Sequence, residues 1–409
     1  MFVKKHAYRV KKGFCRGIKN TLIALAVCFV LTADTAAFAA AGDFSENKGA
    51  NPPAPDAVGE VRAALLAEIG TGRVLFEQNA EEKLPVAGLT RLAALVTVCE
   101  GFDEGRLKAG EAVSVSEKAA KIGGTTAFLK AGEQMNAEQM LLAAVMINAG
   151  DATHSLALAA AGSETAAVQA INERMAELGV KTALTEICGA GEKFSAAELS
   201  KIGAALAASE VYCSRGSKFY EKIEHNTGAG ATELANPNKL VKQYSGCIGI
   251  GTGSSNEAGY CGVFAAKRGG TAFIAVVLGA KTSGARFDCG SALLDYGFAS
   301  FRSAEINKKG DNFGDVAIKG SMQRSVGAIA EQNVTLLVSV SDTTYNLNTE
   351  IAECVEAPIR AGDKVGLLTV TDSKGNILAA VNLVADRDAE KAEFSDYLKH
   401  VFAEWVRRI

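Results

Sequence analysis

The run "YSGCIGIGTGSSNEAGYCGVFAAKRGGTAFIAVVLGA", Tyr244 to Ala280, holds three β-type segments joined by glycine-rich turns. Far upstream, "AALLAEIGTGRVLFEQNA" gives two more apolar segments around "GTG", a hairpin signal. The segments between read as helices. "GLTRLAALVTVCEGF", "NAEQMLLAAVMINAG" and "SETAAVQAINERMAELGV" have helical apolar spacing, the latter two with acidic first turns, and glycine stands at or beyond helix ends. Strands at both sequence ends with helices between them predict a mixed α/β (α+β) domain over residues 59–305. From Phe313 the chain changes to short strands such as "VTLLVSVSD" and "KVGLLTVTDSKGNILAAVNLV", with "SKGN" as a hairpin tip. A small all-β sandwich is expected over 313–387.

Residues 1–41 are set apart from this fold. A basic start, the 11-residue apolar run "TLIALAVCFVL" and the small residues of "AFAAA" form a secretory signal peptide. The protein is therefore expected to be exported to the cell envelope. Residues 42–58 are polar and hold three of the six prolines, as an exposed linker does. Losing the signal removes Lys4, Lys5, Arg9, Lys11, Lys12, Arg16, Lys19 and Asp34, which leaves a net charge of −9. That balance argues against a nucleic-acid partner, since phosphate binding relies on basic surface. Seven cysteines remain: Cys99, Cys188, Cys213, Cys247, Cys261, Cys289 and Cys354. They form no CxxC pair and accompany no histidine cluster, so no metal and no cofactor is expected. Cys247 and Cys261 flank a hairpin, either as cross-strand neighbours or as small buried hydrophobes. Residues 389–409 return to helical spacing, with Phe394, Leu398, Phe402 and Trp405 on one face. Such a helix fits either a membrane interface or packing on its own protein.

Three short stretches carry the functional reading. They are "PVAGLTR" at 85–91, "NAGDAT" at 148–153 and "GTGSSNEAGY" at 251–260, with "FSAAELSKIGAAL" and "NPNKLV" between the second and third. In order and spacing they resemble the "PASLTK", "SGNDA" and "KTGxTxxAGY" motifs of the low-molecular-mass penicillin-binding proteins, the serine D-alanyl-D-alanine carboxypeptidases. "RAGDKVGLLTVTDSKGN" is similar to that family's C-terminal domain, and the tail to its membrane-associating helix. The resemblance implies a β-lactamase-like transpeptidase domain and a role in trimming peptidoglycan stem peptides.

The reactive side chains do not follow the resemblance. The family's S-x-x-K serine attacks a peptide carbonyl, and the lysine one turn later takes its proton. Gly88 and Arg91 stand there; glycine has no nucleophile, and a guanidinium is not a base. The second motif's serine and asparagine are read at Ala149 and Asp151. Gly251 replaces the lysine that attracts the substrate carboxylate, leaving Thr252 and Gly253 unchanged as binding positions. Arg91 and Asp151 are expected to form a buried or half-buried ion pair that plugs the groove, because an unpaired buried charge costs several kcal/mol; the alternative is that both are solvated in an opened cleft. No substitute nucleophile emerges from Ser45 and Lys48, "SSN" at 254–256, "KTSG" at 281–284, Thr90 or His154. The expected function is an inactive, exported pseudoenzyme that binds a stem peptide or an active cell-wall enzyme. The rival expectations are an active carboxypeptidase working through other residues, and a partner-binding module built on the β-domain.

Overall fold

The computed structural model describes residues 58, 61–189, 191–225, 230–340, 345–373 and 375–407 of the 409-residue chain. The signal peptide and all of the linker except Val58, Ser45 and Lys48 included, lie outside the described residues. Contacts divide the chain between Arg302 and Ser303 into two units.

In the first unit, strands β1 (Ala63–Glu68) and β2 (Val74–Gln78) precede five longer helices. These are α1 (Arg91–Asp103), α2 (Ala137–Ile147), α3 (Gly150–Ala161), α4 (Glu164–Glu177) and α5 (Ala196–Ala208). Strands β3 (Cys247–Ser255), β4 (Gly259–Arg268) and β5 (Thr271–Ala280) follow, then helix α6 (Ser283–Ser300). The sheet runs β2-β1-β5-β4-β3, antiparallel throughout. β1 is buried along its whole length and β5 along most of it. That is why both read as continuous apolar runs rather than alternating ones. Helix α5 lies so close to one face that a Cβ on Gly203 would fall 2.4 Å from Ile274 Cδ1 and 2.8 Å from Val263 Cγ1. Helix α6 covers the other face, its Gly290 and Gly297 seated on the rings of Phe264 and Phe273.

Local signals set the helix ends. Ser195 and Glu198 form a reciprocal capping box at α5, and Ser163 caps α4 through its side chain. Thr282 does the same for α6, accepting from the Ala285 amide at 3.1 Å, so the "KTSG" stretch is a helix cap. Cys247 opposes Ala266 and Cys261 opposes Gly253 in the β3–β4 register. The two thiols are therefore not cross-strand neighbours, which corrects that expectation, and all seven described cysteines are free.

The second unit starts earlier than the composition suggested. Strand β6 (Phe301–Asn307), read from sequence as the end of the first domain and its connection, pairs with β9 (Val334–Ser339). Between them run β7 (Asn312–Lys319) and β8 (Ser325–Ala330); β10 (Tyr345–Ile351), β11 (Cys354–Glu356), β12 (Lys364–Asp372) and β13 (Ile377–Ala385) follow. The larger sheet has the order β10-β12-β13-β8-β7-β11. Val334, Leu336 and Val338 of the small sheet share one core with Val326, Leu368, Val370 and Leu383 of the large one, giving a sandwich. Helix α7 (Phe394–Arg407) ends the described chain. Its apolar face is open, with Phe394 81 % and Trp405 62 % exposed, so packing on its own protein is not what the described residues do.

Candidate functional site

The first motif opens with a strained turn. After Pro85, Ala87 adopts φ +50°, a left-handed conformation unusual outside glycine. One 3-10 turn, Ala87–Thr90, then leads into α1. An ideal Cβ on Gly88 would stand 3.5 Å from Asn148 Nδ2 and 4.0 Å from Arg91 Nη1, ordinary contact distances. A serine side chain would fit here. Thr90 is turned elsewhere, donating from Oγ1 to the Cys188 carbonyl at 2.7 Å.

Arg91 is 7 % exposed and lies along the floor of this region. Its guanidinium donates to the carbonyls of Thr125 at 2.9 Å, Asn148 at 2.8 Å and Gly123 at 2.6 Å. Burial pulls its pKa down, opposed by Cys188 and Asp151, yet a guanidinium starts so high that it stays charged. Asp151, 1 % exposed, accepts from the amides of Ala127 at 2.9 and 3.0 Å, Leu129 at 3.0 Å and Ala152 at 2.9 Å. The direct ion pair expected between them is absent: the hydrogen bonds of both groups go to backbone. One loop joins them instead. Arg91 holds its carbonyls at Gly123 and Thr125, and Asp151 holds its amides at Ala127 and Leu129. Peptide dipoles between two opposite charges stabilise both, without the geometric demands of a buried salt bridge.

The second motif sits one residue earlier than its sequence reading. Ala149 points into the hydrophobic core, fully buried. The side chain facing Gly88 is that of Asn148, a left-handed cap of α2 at φ +55°, whose Nδ2 donates to the Gly88 carbonyl at 2.6 Å. Its Oδ1 is buried with no partner. The position facing Arg91 is Gly150, where a Cβ would fall 2.8 Å from Arg91 Cζ and 2.6 Å from Ile122 Cγ2. A letter-for-letter match of "SGNDA" to "NAGDA" finds this register from sequence. In it Asp151 coincides with the motif's own aspartate and is not a substitution. The residues at the two chemical positions are Asn148 and Gly150.

The third motif lies on β3, the edge strand. Gly251 faces Leu89 and Leu92, whose Cδ2 atoms come within 3.3 Å of its ideal Cβ, so leucine occupies the path a lysine stem would take. Thr252 and Gly253 are half-buried. Gly253 is required by packing, since a Cβ there would stand 2.9 Å from the Val86 carbonyl oxygen. The preceding Ile250 sits at φ +98°, strain of about 1–3 kcal/mol for such a residue. The Tyr212 hydroxyl donates to its carbonyl and holds it there.

On the helical side of Gly88 a cavity of about 370 Å³ opens. Gly88, Arg91, Gly123, His154, Glu186 and Cys188 line it; sequence reasoning had passed over Glu186 and Cys188. Burial pushes the Cys188 thiol up to about 11, with Arg91 opposing, so it is no thiolate at neutral pH. No group of three or more histidine, cysteine, aspartate or glutamate side chains that could hold a metal occurs among the described residues.

A family model for D-alanyl-D-alanine carboxypeptidases matches residues 49–282, and one for the penicillin-binding protein 5 C-terminal domain matches 301–391. The D-alanyl-D-alanine carboxypeptidase DacF of Bacillus subtilis is 30% identical over 357 residues, covering 85% of this chain and 90% of that protein. DacA of Escherichia coli is 26% identical, covering 85% and 89%. The crystal structure of penicillin binding protein 5 from Haemophilus influenzae superposes with a TM-score of 0.72 at 22% identity, covering 84% of this chain and all of that one.

Proposed function

Because this chain belongs to the D-alanyl-D-alanine carboxypeptidase family, we propose that it keeps the family's scaffold and has given up its hydrolysis. In this reading it is an exported pseudoenzyme that works in the cell envelope by binding a peptidoglycan stem peptide or an active cell-wall enzyme. The observation that carries the reading is the pairing of Gly88 with Arg91, which leaves neither nucleophile nor base at the start of α1. Asn148, Gly150 and Gly251 point the same way at the other two motifs. The nearby thiol of Cys188 is held in its protonated form, and Thr90 is committed to a backbone carbonyl. Purified protein incubated with fluorescent penicillin is expected to show no covalent label, and to release no D-alanine from a pentapeptide. A labelled band that disappears on competition with unlabelled penicillin would refute the reading.

Membrane contact belongs to the same proposal. The open face of α7 carries Phe394, Leu398, Val401, Phe402 and Trp405, all exposed, and burying such side chains yields roughly 1.5–3 kcal/mol each. Asp396 in its first turn and Arg407 in its last suit the helix dipole. No described helix is long and apolar enough to cross a membrane. The full-length protein is expected to sediment with lipid vesicles, and a version ending at residue 392 to stay in the supernatant. Equal behaviour of the two would remove α7 as the anchor.

A further inference from the structure

Resting on the reading of an envelope protein that works by binding, we propose that the loop 123–129 is a glycan-binding element, with the ring of Phe128 as a stacking platform for an N-acetylated sugar. Phe128 is 74 % exposed, the most exposed large apolar side chain of the described first unit, where Tyr220 follows at 47 %. Its backbone stands at φ +61°, a conformation that a bulky residue adopts only under constraint. A ring left in water and a left-handed backbone both cost stability. Glycine would relieve the strain, so the ring is held out for something other than the fold.

The loop is built to hold it there. Asp151 accepts from the amides on either side of Phe128, those of Ala127 at 2.9 Å and Leu129 at 3.0 Å, and the side chains of both neighbours are buried. Arg91 clamps the carbonyls of Gly123 and Thr125, and the Gly150 amide donates to the Thr125 carbonyl at 2.9 Å. Arg91, which cannot serve as a base, here stiffens the loop that forms one wall of the cavity through Ile122 and Gly123. An aromatic on a fixed backbone loses little conformational freedom on binding.

The surroundings of the ring select the partner. A protein hot spot is ringed by contacts that exclude water, whereas the exposed residues flanking Phe128 are Gly123, Gly124, Thr125 and Lys130. The Thr125 hydroxyl and the Lys130 ammonium have no protein partner among the described residues. Docking the ring in an apolar protein pocket would strand those two groups away from water. A pyranose matches all three. Its C–H face is weakly positive and lies on the negative face of the ring, while its hydroxyls and acetamido carbonyl accept from the hydroxyl and the ammonium.

The test is nuclear magnetic resonance of full-length protein carrying ring-¹³C phenylalanine, titrated with chitohexaose and with maltohexaose, which lacks the acetamido groups. The Phe128 ring signals, assigned by their loss in Phe128→Ala, are expected to shift saturably with chitohexaose, which should bind at least about tenfold more tightly than maltohexaose. Saturation transfer from protein to sugar protons should show Phe128→Ala weakened at least about tenfold, or about 1.4 kcal/mol, and Phe128→Trp within about threefold of the parent. Phe128→Gly should lose binding in the same way yet melt at an unchanged or higher temperature, which a residue kept for the fold would not do. The proposal is overturned if chitohexaose gives no saturable shift at Phe128, if maltohexaose binds as well, or if Phe128→Ala binds like the parent. A fall of more than about 2 °C in the melting temperature of Phe128→Gly overturns it too. Its failure is distinct from that of the pseudoenzyme reading, which penicillin labelling tests by itself.

Discussion

Asp151→Ala is expected to lower the melting temperature by about 10 °C, the larger of the two strongest effects the site predicts. The carboxylate is 1 % exposed and accepts from three backbone amides, those of Ala127, Leu129 and Ala152. Each buried N–H left without a partner costs about 1–3 kcal/mol. Relaxation of the loop and entry of water keep the total at about 3–5 kcal/mol, the range seen when a buried charge network loses one member. At roughly 2–4 °C per kcal/mol for a domain of this size, the melting curve moves by the stated amount. Asp151→Asn retains one acceptor oxygen and should lose about half as much. Amide hydrogen exchange at residues 127 and 129 should accelerate in both variants. A shift below about 2 °C for Asp151→Ala would mean that the loop is held by something else.

The second strong effect is a clash that depends on another residue. Gly150→Ala puts a methyl 2.8 Å from Arg91 Cζ and 2.6 Å from Ile122 Cγ2. The guanidinium has three carbonyls holding it and cannot move aside cheaply. Overpacking of this kind costs about 1–3 kcal/mol, which exceeds the gain of up to about 1 kcal/mol from replacing glycine by alanine in a helix. Net destabilisation of about 1–2 kcal/mol, or roughly 2–8 °C, is expected. In an Arg91→Ala background one of the two obstructions is gone, and the cost of Gly150→Ala should fall by at least half. Thermal melts of the four proteins in the cycle measure this directly. Equal costs in both backgrounds would show that Gly150 is not tied to Arg91.

The two predictions explain why the second motif was hard to place from sequence. Ala149 caps α3 and Gly150 and Asp151 are its first two residues, so a one-residue slip in matching the motif turns a core residue into a site residue. The positions that matter are distinguished only by direction. Ala149 points into the apolar core, Asp151 toward the loop amides, and Gly150 presents its bare Cα to the guanidinium. Arg91 read from sequence demanded a partner of opposite charge, and Asp151 was chosen because its motif position faces that of Arg91 in the family the chain resembles. The structure satisfies both through the same loop, because peptide carbonyls and amides serve a cation and an anion without adding any charge to the sequence.

His154 illustrates the opposite case. A lone histidine in a helix carries almost no signal by itself, and nothing in its neighbours announces that Lys118, Glu164 and Glu186 converge near it from separate segments. Only the packing of α3 against the loop and α4 leaves its ring buried beside an open volume.

What the sequence determined alone was the order of elements and the loss of reactive groups. Apolar periodicity and glycine placement specify strands, helices and turns locally, and the absence of a hydroxyl at Gly88 or an amine at Arg91 needs no coordinates to be read. What only the tertiary structure decided was which groups answer one another: Arg91 with the carbonyls of Gly123 and Thr125, Asp151 with the amides of Ala127 and Leu129, Asn148 with Gly88, and His154 with Glu164. Those pairings depend on the direction of backbone dipoles brought together from distant parts of the chain. Periodicity records which face of an element is buried, and it carries no information about what is waiting on the other side.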